Sequence, residues 1–418
     1  MPGFRALARN RDFTLLWTGE AISSIGTTVS TFAFPLVGYA ITGSAMWAAM
    51  AEAAFLLGMV GSLLPAGALA DRIDRRRLMR GADGLAMLLF GSLALAGALG
   101  HLTLPHLLLA ALGAGVASGV YSPAESAAIR TVVATEDLPT AFSQNQAREG
   151  IASLLGGPIG GVLYAAARWM PFLADAVSYA VGWLLVGRIR TSLVPPERGD
   201  AMPREPLRTA IAAGLRTVRS VPLFRVLLLW APLVNLTLNA LVSVSILRLV
   251  QDHRAPLAIG LVEVAFGASA ILGSIAAPYL IERIPTGLFA ILVSWIFVPL
   301  SIPLALWSSP AAVGGIVALG LFLVPAGNAG IGAYRVAVTR PEELGRVQSV
   351  MQFVSMFTMP LAAVLAGALL TLLGARGATY ALGAAIAAIA LIPTLSHSVR
   401  SVPRPAAWPR QEVDTVAV

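Results

Sequence analysis

The sequence predicts an all-α fold that lives in a lipid bilayer, with twelve transmembrane helices in two homologous six-helix halves. Three observations carry this. Of 418 residues, 57% are hydrophobic and 12% charged, and a mean hydropathy of +0.79 marks more apolar surface than one water-soluble core buries. Apolar runs of about twenty residues, the length that crosses a hydrocarbon core, recur along the chain with Gly, Pro or Arg between them. Features of the first half return in the second at an offset of about half the chain, as in transporters built from repeats.

The runs place six helices near 12–40, 45–69, 78–100, 105–131, 142–167 and 171–188, and six more near 222–249, 257–281, 286–307, 311–337, 346–372 and 376–397. The expected organisation is an N-terminal half over 1–188, a linker over 189–220, a C-terminal half over 221–399 and a tail over 400–418. The linker is rich in Arg, Pro and Glu. Its later part keeps helical apolar spacing at Leu207, Ile211, Leu215 and Val218, which predicts a surface helix. The halves echo each other in register: Trp17 with Trp230, Asp71-Arg72-Ile73 with Glu282-Arg283-Ile284, and Pro123-Ala124 with Pro325-Ala326.

Charge sets the expected topology. Arg168, Arg248, Arg254 and Arg376 fall between runs on one side, whereas Arg72, Arg75, Arg76, Arg77, Arg188, Arg190, Arg283, Arg340, Arg346, Arg400 and Arg404 fall on the other. The arginine-rich side is expected to be cytoplasmic, with both termini there. The polar N-terminal segment leads into a run long enough to span, so no removable signal peptide is expected.

Composition also excludes chemistries. Every one of the 29 basic residues is arginine, and without lysine there is no P-loop to drive an ATP pump. The chain has no cysteine, which removes disulfides, thiolate catalysis and zinc-thiolate centres. The histidines, His101, His106, His253 and His397, sit near predicted helix ends and read as interfacial residues. No metal or cofactor is expected. The net charge of +8 is spread over short loops and forms no continuous basic face, so no nucleic-acid partner is expected. No clustered nucleophile, base or ligand set points to an enzyme.

The segment Gly67-Ala68-Leu69-Ala70-Asp71-Arg72-Ile73-Asp74-Arg75-Arg76-Arg77 resembles the loop signature of the major facilitator superfamily. Gly67, Asp71, Arg72, Arg75 and Arg76 match the motif, while Asp74 stands where the family usually has glycine. A glycine admits close helix approach, the acid pairs with a helix end, and the arginines hold the loop on the cytoplasmic side. Further stretches resemble the drug- and siderophore-exporter branch known as transmembrane secretion effectors: the first-helix run from Phe13 to Ser23, Thr42-Gly43-Ser44, Pro123-Ala124 with Phe142 to Asn145, Asp175 to Tyr179, and Val221 to Arg225. Gly157-Pro158-Ile159-Gly160-Gly161 resembles, one residue shorter, the antiporter motif of the family's fifth helix. The resemblance implies the major facilitator fold in a bacterial inner membrane, with the chain working as a monomer.

Proton exchange needs an acid facing a water-accessible cavity. Glu20 is the first candidate, because Ser24, Thr27 or Thr28, and Thr31 continue its polar stripe at helical spacing. Glu52, Glu149 and Glu263 are further proton-coupling candidates. Glu125, Arg130 and Arg148 are candidate gating ion pairs, with mutual structural pairing as the competing reading. Thr27, Thr31, Asn235, Asn239 and Ser243 are candidate cavity residues, the last three spaced by four along the seventh helix, although hydrogen bonding between helices would explain the same stripe. Gln352, Phe353 and Met356 of the eleventh helix suit loosely specified amphipathic ligands, and suit plain packing as well. Asp175 reads as structural and close to the outer interface.

The resemblance implies a secondary active exporter of amphipathic small molecules exchanged for protons. Uptake on the same fold, or a membrane scaffold or sensor that moves nothing, are the rivals. Since the motif carboxylate is expected to stabilise one packed arrangement of the halves, Asp71→Asn should slow turnover several-fold while substrate affinity stays within about twofold. Equal losses in both, measured by binding and by transport in vesicles, would count against a conformational role.

Overall fold

The computed structural model describes residues 7, 9–70, 72–195, 215–216, 218–339 and 341–408. Among them the chain is helical with no strand. The helices are α1 (Arg11–Thr42), α2 (Ala45–Ala70), α3 (Arg75–Ala98), α4 (Leu104–Val132), α5 (Leu138–Ala166) and α6 (Met170–Gly187). There follow α7 (Pro222–Gln251), α8 (Pro256–Arg283), α9 (Thr286–Leu306) and α10, built of Pro310–Leu321 and Val324–Val338. The last run, Pro341–Leu395, is broken at Gly374, whose φ of 67° and ψ of 174° leave the helical region. An L side chain resists that backbone, so the glycine divides the run into α11 and α12.

Among the described residues ten segments are long and apolar enough to cross a membrane, and one of them, Val350–Leu395, has 46 residues and runs through most of α11 and into α12. α5 falls short by composition because its first turns carry Ser143, Gln144, Asn145, Gln146, Arg148 and Glu149. Polar first turns also explain why α5 begins before the expected 142 and α11 before 346. α3 starts at Arg75 and not at 78, because the Asp74 carboxylate accepts the Arg76 N–H at 2.9 Å and caps the helix. Arg75, Arg76 and Arg77 therefore belong to a helical first turn, and the acid in place of the family's glycine has a local function. Arg248, expected in a loop, lies inside α7. Most of the expected surface helix over 207–218 lies outside the described residues.

The chain resolves into two compact units. The first combines α1–α6 with Ser243–Gly267 and Ala363–Leu372; the second holds Asp200–Val242, Ala268–Ala362 and Leu373–Val418.

Aromatic rings form the centre of the first unit. Phe90 of α3 stacks on Phe34 of α1 (6.2 Å between centroids), on Phe172 of α6 (6.3 Å) and on Tyr179 of α6 (5.9 Å). Each such pair stabilises by about 0.5–1.5 kcal/mol beyond its buried area. At the arginine-rich end, the Asp12 carboxylate accepts the Thr191 N–H (2.8 Å), the Thr191 hydroxyl (2.6 Å) and the Arg190 N–H (3.1 Å), tying α1 to the segment after α6. Arg75 donates to the Thr131 hydroxyl at 2.9 Å and Arg76 to the Thr191 carbonyl at 2.7 Å. The signature arginines thus fasten α3 to α4 and to the exit of α6.

The glycine-rich stretch of α5 meets α8 backbone to backbone. A Cβ on Gly157 would stand 2.8 Å from the Gly260 carbonyl oxygen, and one on Gly260 would collide with the Gly157 carbonyl. Small residues permit this approach, and dispersion forces hold it where no hydrophobic drive exists between helices in lipid.

In the second unit, tryptophan N–H groups link helices. Trp230 of α7 donates to Ser294 of α9 at 3.0 Å, and Trp295 of α9 donates to Thr394 of α12 at 2.9 Å. The segment after α12 folds back, so that the Gly287 N–H donates to the Val402 carbonyl at 3.2 Å and Trp408 meets Tyr334 edge-on at 5.5 Å.

Gly260→Leu should force α5 and α8 apart. We expect a thermal unfolding midpoint in detergent several degrees below wild type, while Gly315→Leu, at a position with open space around it, should stay within one or two degrees. Equal midpoints for the two variants would show that the backbone contact contributes nothing to stability.

A candidate transport cavity

A cavity of about 410 Å³ opens in the first unit among α1, α2, α3, α4 and α6, within the roughly 300–1,000 Å³ typical of small-molecule sites. Its α1 wall is the polar stripe: Glu20, Ser24, Thr27, Thr28 and Thr31. The hydroxyls of Ser24, Thr28 and Thr31 are satisfied within α1, so none of them stands unpaired in the spanning helix. Ser24 donates to Glu20 Oε1 at 3.3 Å, Thr28 to the Ser24 carbonyl at 2.8 Å and Thr31 to the Thr28 carbonyl at 3.0 Å. Thr27 and the Tyr179 hydroxyl share a 2.7 Å hydrogen bond, so the aromatic core continues directly into the cavity wall. Phe55, Leu56 and Met59 of α2 and Tyr121 of α4 supply apolar and aromatic surface, and Glu52 adds a carboxyl on α2.

Beside the cavity lies a buried ion pair. Arg148 Nη1 donates to Glu125 Oε1 at 2.7 Å and Nη2 to Oε2 at 3.5 Å, the fork geometry that suits guanidinium to carboxylate. Arg148 is 4% exposed and Glu125 7%. The same Nη2 stands 3.9 Å from Glu20 Oε1. One cation is therefore shared between a carboxylate it holds tightly and one it holds loosely. Removing one member of such a pair costs about 3–5 kcal/mol, since the remaining charge is left uncompensated in the interior.

The other candidate residues are distributed as follows. Glu149 and Arg130 are exposed. Glu263 packs against α5, where a Cβ on Gly157 would approach its Oε2 to 2.7 Å. Gly67 is half-buried with open space around it, and Arg72 is exposed; Asp71 lies outside the described residues. Asn239 is exposed and donates to the Asn235 carbonyl at 2.8 Å, while Asn235 and Ser243 are half-buried. Gln352 is exposed and Met356 half-buried on α11, with the Gln352 amide 4.0 Å from the Met356 sulfur. The side chain of Phe353 lies outside the described residues.

Two acids matter more than the sequence analysis allowed. Asp83 of α3 was not singled out, yet it lines the cavity, is 1% exposed, and neither carboxylate oxygen has a hydrogen-bond partner. The signal was available: a single acid inside a spanning apolar run is a functional candidate by default. Asp175, read as structural and interfacial, is fully buried. Its Oδ1 accepts the Ser178 hydroxyl at 3.0 Å, its Oδ2 has no partner, and it leans on α1 at Gly26, where any Cβ would collide with it.

The profile of the transmembrane secretion effector family matches residues 4–416. An uncharacterised MFS-type transporter of Bacillus subtilis (strain 168), YkuC, is 28% identical over 196 residues, which cover 45% of this chain and 43% of that protein. Among solved structures, a bacterial homologue of the human lysosomal transporter Spinster, in an inward-facing and unoccupied conformation, matches with a TM-score of 0.73 at 16% identity, covering 94% of this chain and 98% of its own. A bacterial homologue of the iron transporter ferroportin gives 0.70 at 17% identity over 93% and 98%, and the nucleoside transporter NupG gives 0.70 at 10% identity over 92% and 98%. At these identities the likeness shows the fold: the major facilitator fold expected from the loop signature. The chain belongs to the transmembrane secretion effector family of major facilitator transporters, and it is a transporter and not an enzyme.

Proposed function

We propose that the protein exports amphipathic small molecules, such as antibiotics, siderophores or other secondary metabolites, across the bacterial inner membrane in exchange for protons. The observation that supports this most directly is Glu20: a carboxyl on the cavity wall, held loosely at 3.9 Å by an arginine that Glu125 already neutralises. A proton entering from outside binds Glu20 and removes its attraction for Arg148. Arg148 then pairs with Glu125 alone, and the charge change biases one arrangement of the helices over the other. Each proton moving inward through about 100 mV contributes roughly 2.3 kcal/mol to the cycle. The mixture of hydroxyls, Tyr121, Tyr179, Phe55 and Met59 suits a ligand that is apolar over most of its surface, with a few polar anchors. Both termini are cytoplasmic in this reading, as the arginine asymmetry favours.

Glu20→Gln keeps the hydrogen bond with Ser24 and removes the titration. The variant should insert and express near the wild-type level yet lose at least ten-fold in substrate efflux driven by an imposed pH gradient in proteoliposomes. Wild-type efflux by the variant would remove Glu20 from coupling, and accumulation of substrate in the opposite direction would replace export with uptake.

A further inference from the structure

We propose that the molecule this cavity takes is an organic monocation, with the Asp83 carboxylate as its counter-ion. The inference rests on the cavity being the substrate site, as proposed above, and names what that site selects.

Charge around the cavity is one-sided. Glu20 faces it from α1, Glu52 from α2 and Asp83 from α3, and no cationic side chain is among the described residues that line it. From α4 and α5, Glu125 and Arg148 face each other and cancel. Asp175 of α6 is turned to Gly26 and Ser178. Arg148 reaches Glu20 only at 3.9 Å, and nothing offsets Asp83.

Asp83 is the anomaly that a ligand explains. Buried polar side chains nearly always have partners, and a carboxylate without one is costly. Both Asp83 oxygens lack any, although Gly182 brings α6 close enough that a Cβ there would reach 3.3 Å from Oδ2. α6 donates nothing to it at this contact. The side chain is instead positioned on the cavity wall, which Tyr121 and Tyr179 also line. Aromatic faces attract cations, most strongly where water is excluded. A cation with an apolar body would meet the carboxylate with its charge and the rings with its surface. An anion of the same shape would meet three carboxyls.

The test compares two ions of nearly the same shape and opposite charge, tetraphenylphosphonium and tetraphenylborate, by equilibrium binding to the purified full-length chain in nanodiscs, with empty nanodiscs correcting for partition into lipid. Tetraphenylphosphonium should bind saturably and tetraphenylborate at least ten-fold more weakly. Asp83→Asn should weaken tetraphenylphosphonium at least ten-fold and leave tetraphenylborate unchanged or improved. If that variant does not accumulate, Glu52→Gln should still weaken the cation several-fold. Equal binding of the two ions, or undiminished cation binding in a folded Asp83→Asn or Glu52→Gln variant, overturns the proposal. Because binding needs neither a proton gradient nor vectorial movement, selective binding without transport in proteoliposomes would sink the export reading and leave the cation site standing.

Discussion

A charge taken out of water inside a membrane protein must be compensated where it stands, and the pairing of Arg148 with Glu125 meets that demand beside the cavity of the first unit. Burying a lone guanidinium or carboxylate costs several kcal/mol, so each residue makes the other tolerable. The pair fixes how α4 and α5 face each other, since Glu125 and Arg148 meet at 2.7 Å only in one register. It also consumes the positive charge available to the neighbouring acids. Glu20, at 3.9 Å, is left with a weak partner, and Asp83 with none.

The rest of the first unit holds this imbalance in place. The stacked rings of Phe34, Phe90 and Phe172 immobilise α1, α3 and α6, and Tyr179 carries that rigidity into the cavity by its bond with Thr27. At the arginine-rich end, the Asp12 carboxylate and the arginines of the loop signature tie the exits of α4 and α6 to the entries of α1 and α3. On the other flank, the contact of Gly157 with Gly260 brings α8 against α5 without interposed side chains. Such a contact rests on dispersion between closely approaching backbones. The polar pair, the rings and the glycines therefore divide the work: specific attraction, stacking and close helix approach.

The likeness to solved transporters concerns the scaffold. Proteins that share the fold with this chain at 10–17% identity include a bacterial homologue of the iron transporter ferroportin and the nucleoside transporter NupG, so the fold by itself does not name a cargo. In this chain the cavity of the first unit is lined by three carboxyls, by hydroxyls along α1 and by two tyrosines.

Membrane residence, helix number and the arginine asymmetry were legible in the sequence, because lipid demands long apolar runs and leaves polar residues only at their ends or on an inward face. The α1 stripe was legible for the same reason: Glu20, Ser24, Thr27 and Thr31 recur at the helical period, and the structure puts all four on the cavity wall. Partnership between helices was not legible. The pattern offered Arg130 as a gating partner and Glu149 as a proton-coupling acid, and only packing could separate these exposed side chains from the buried Glu125 and Arg148. Asp83 and Asp175 stood in plain view as acids in apolar runs, but their weight depends on what faces them. For Asp83 that is a cavity and no donor; for Asp175 it is a glycine and one hydroxyl. Periodicity along a chain assigns a residue to a face of its own helix, whereas the residue it meets belongs to another helix far away in sequence, and that choice is made only when the helices pack.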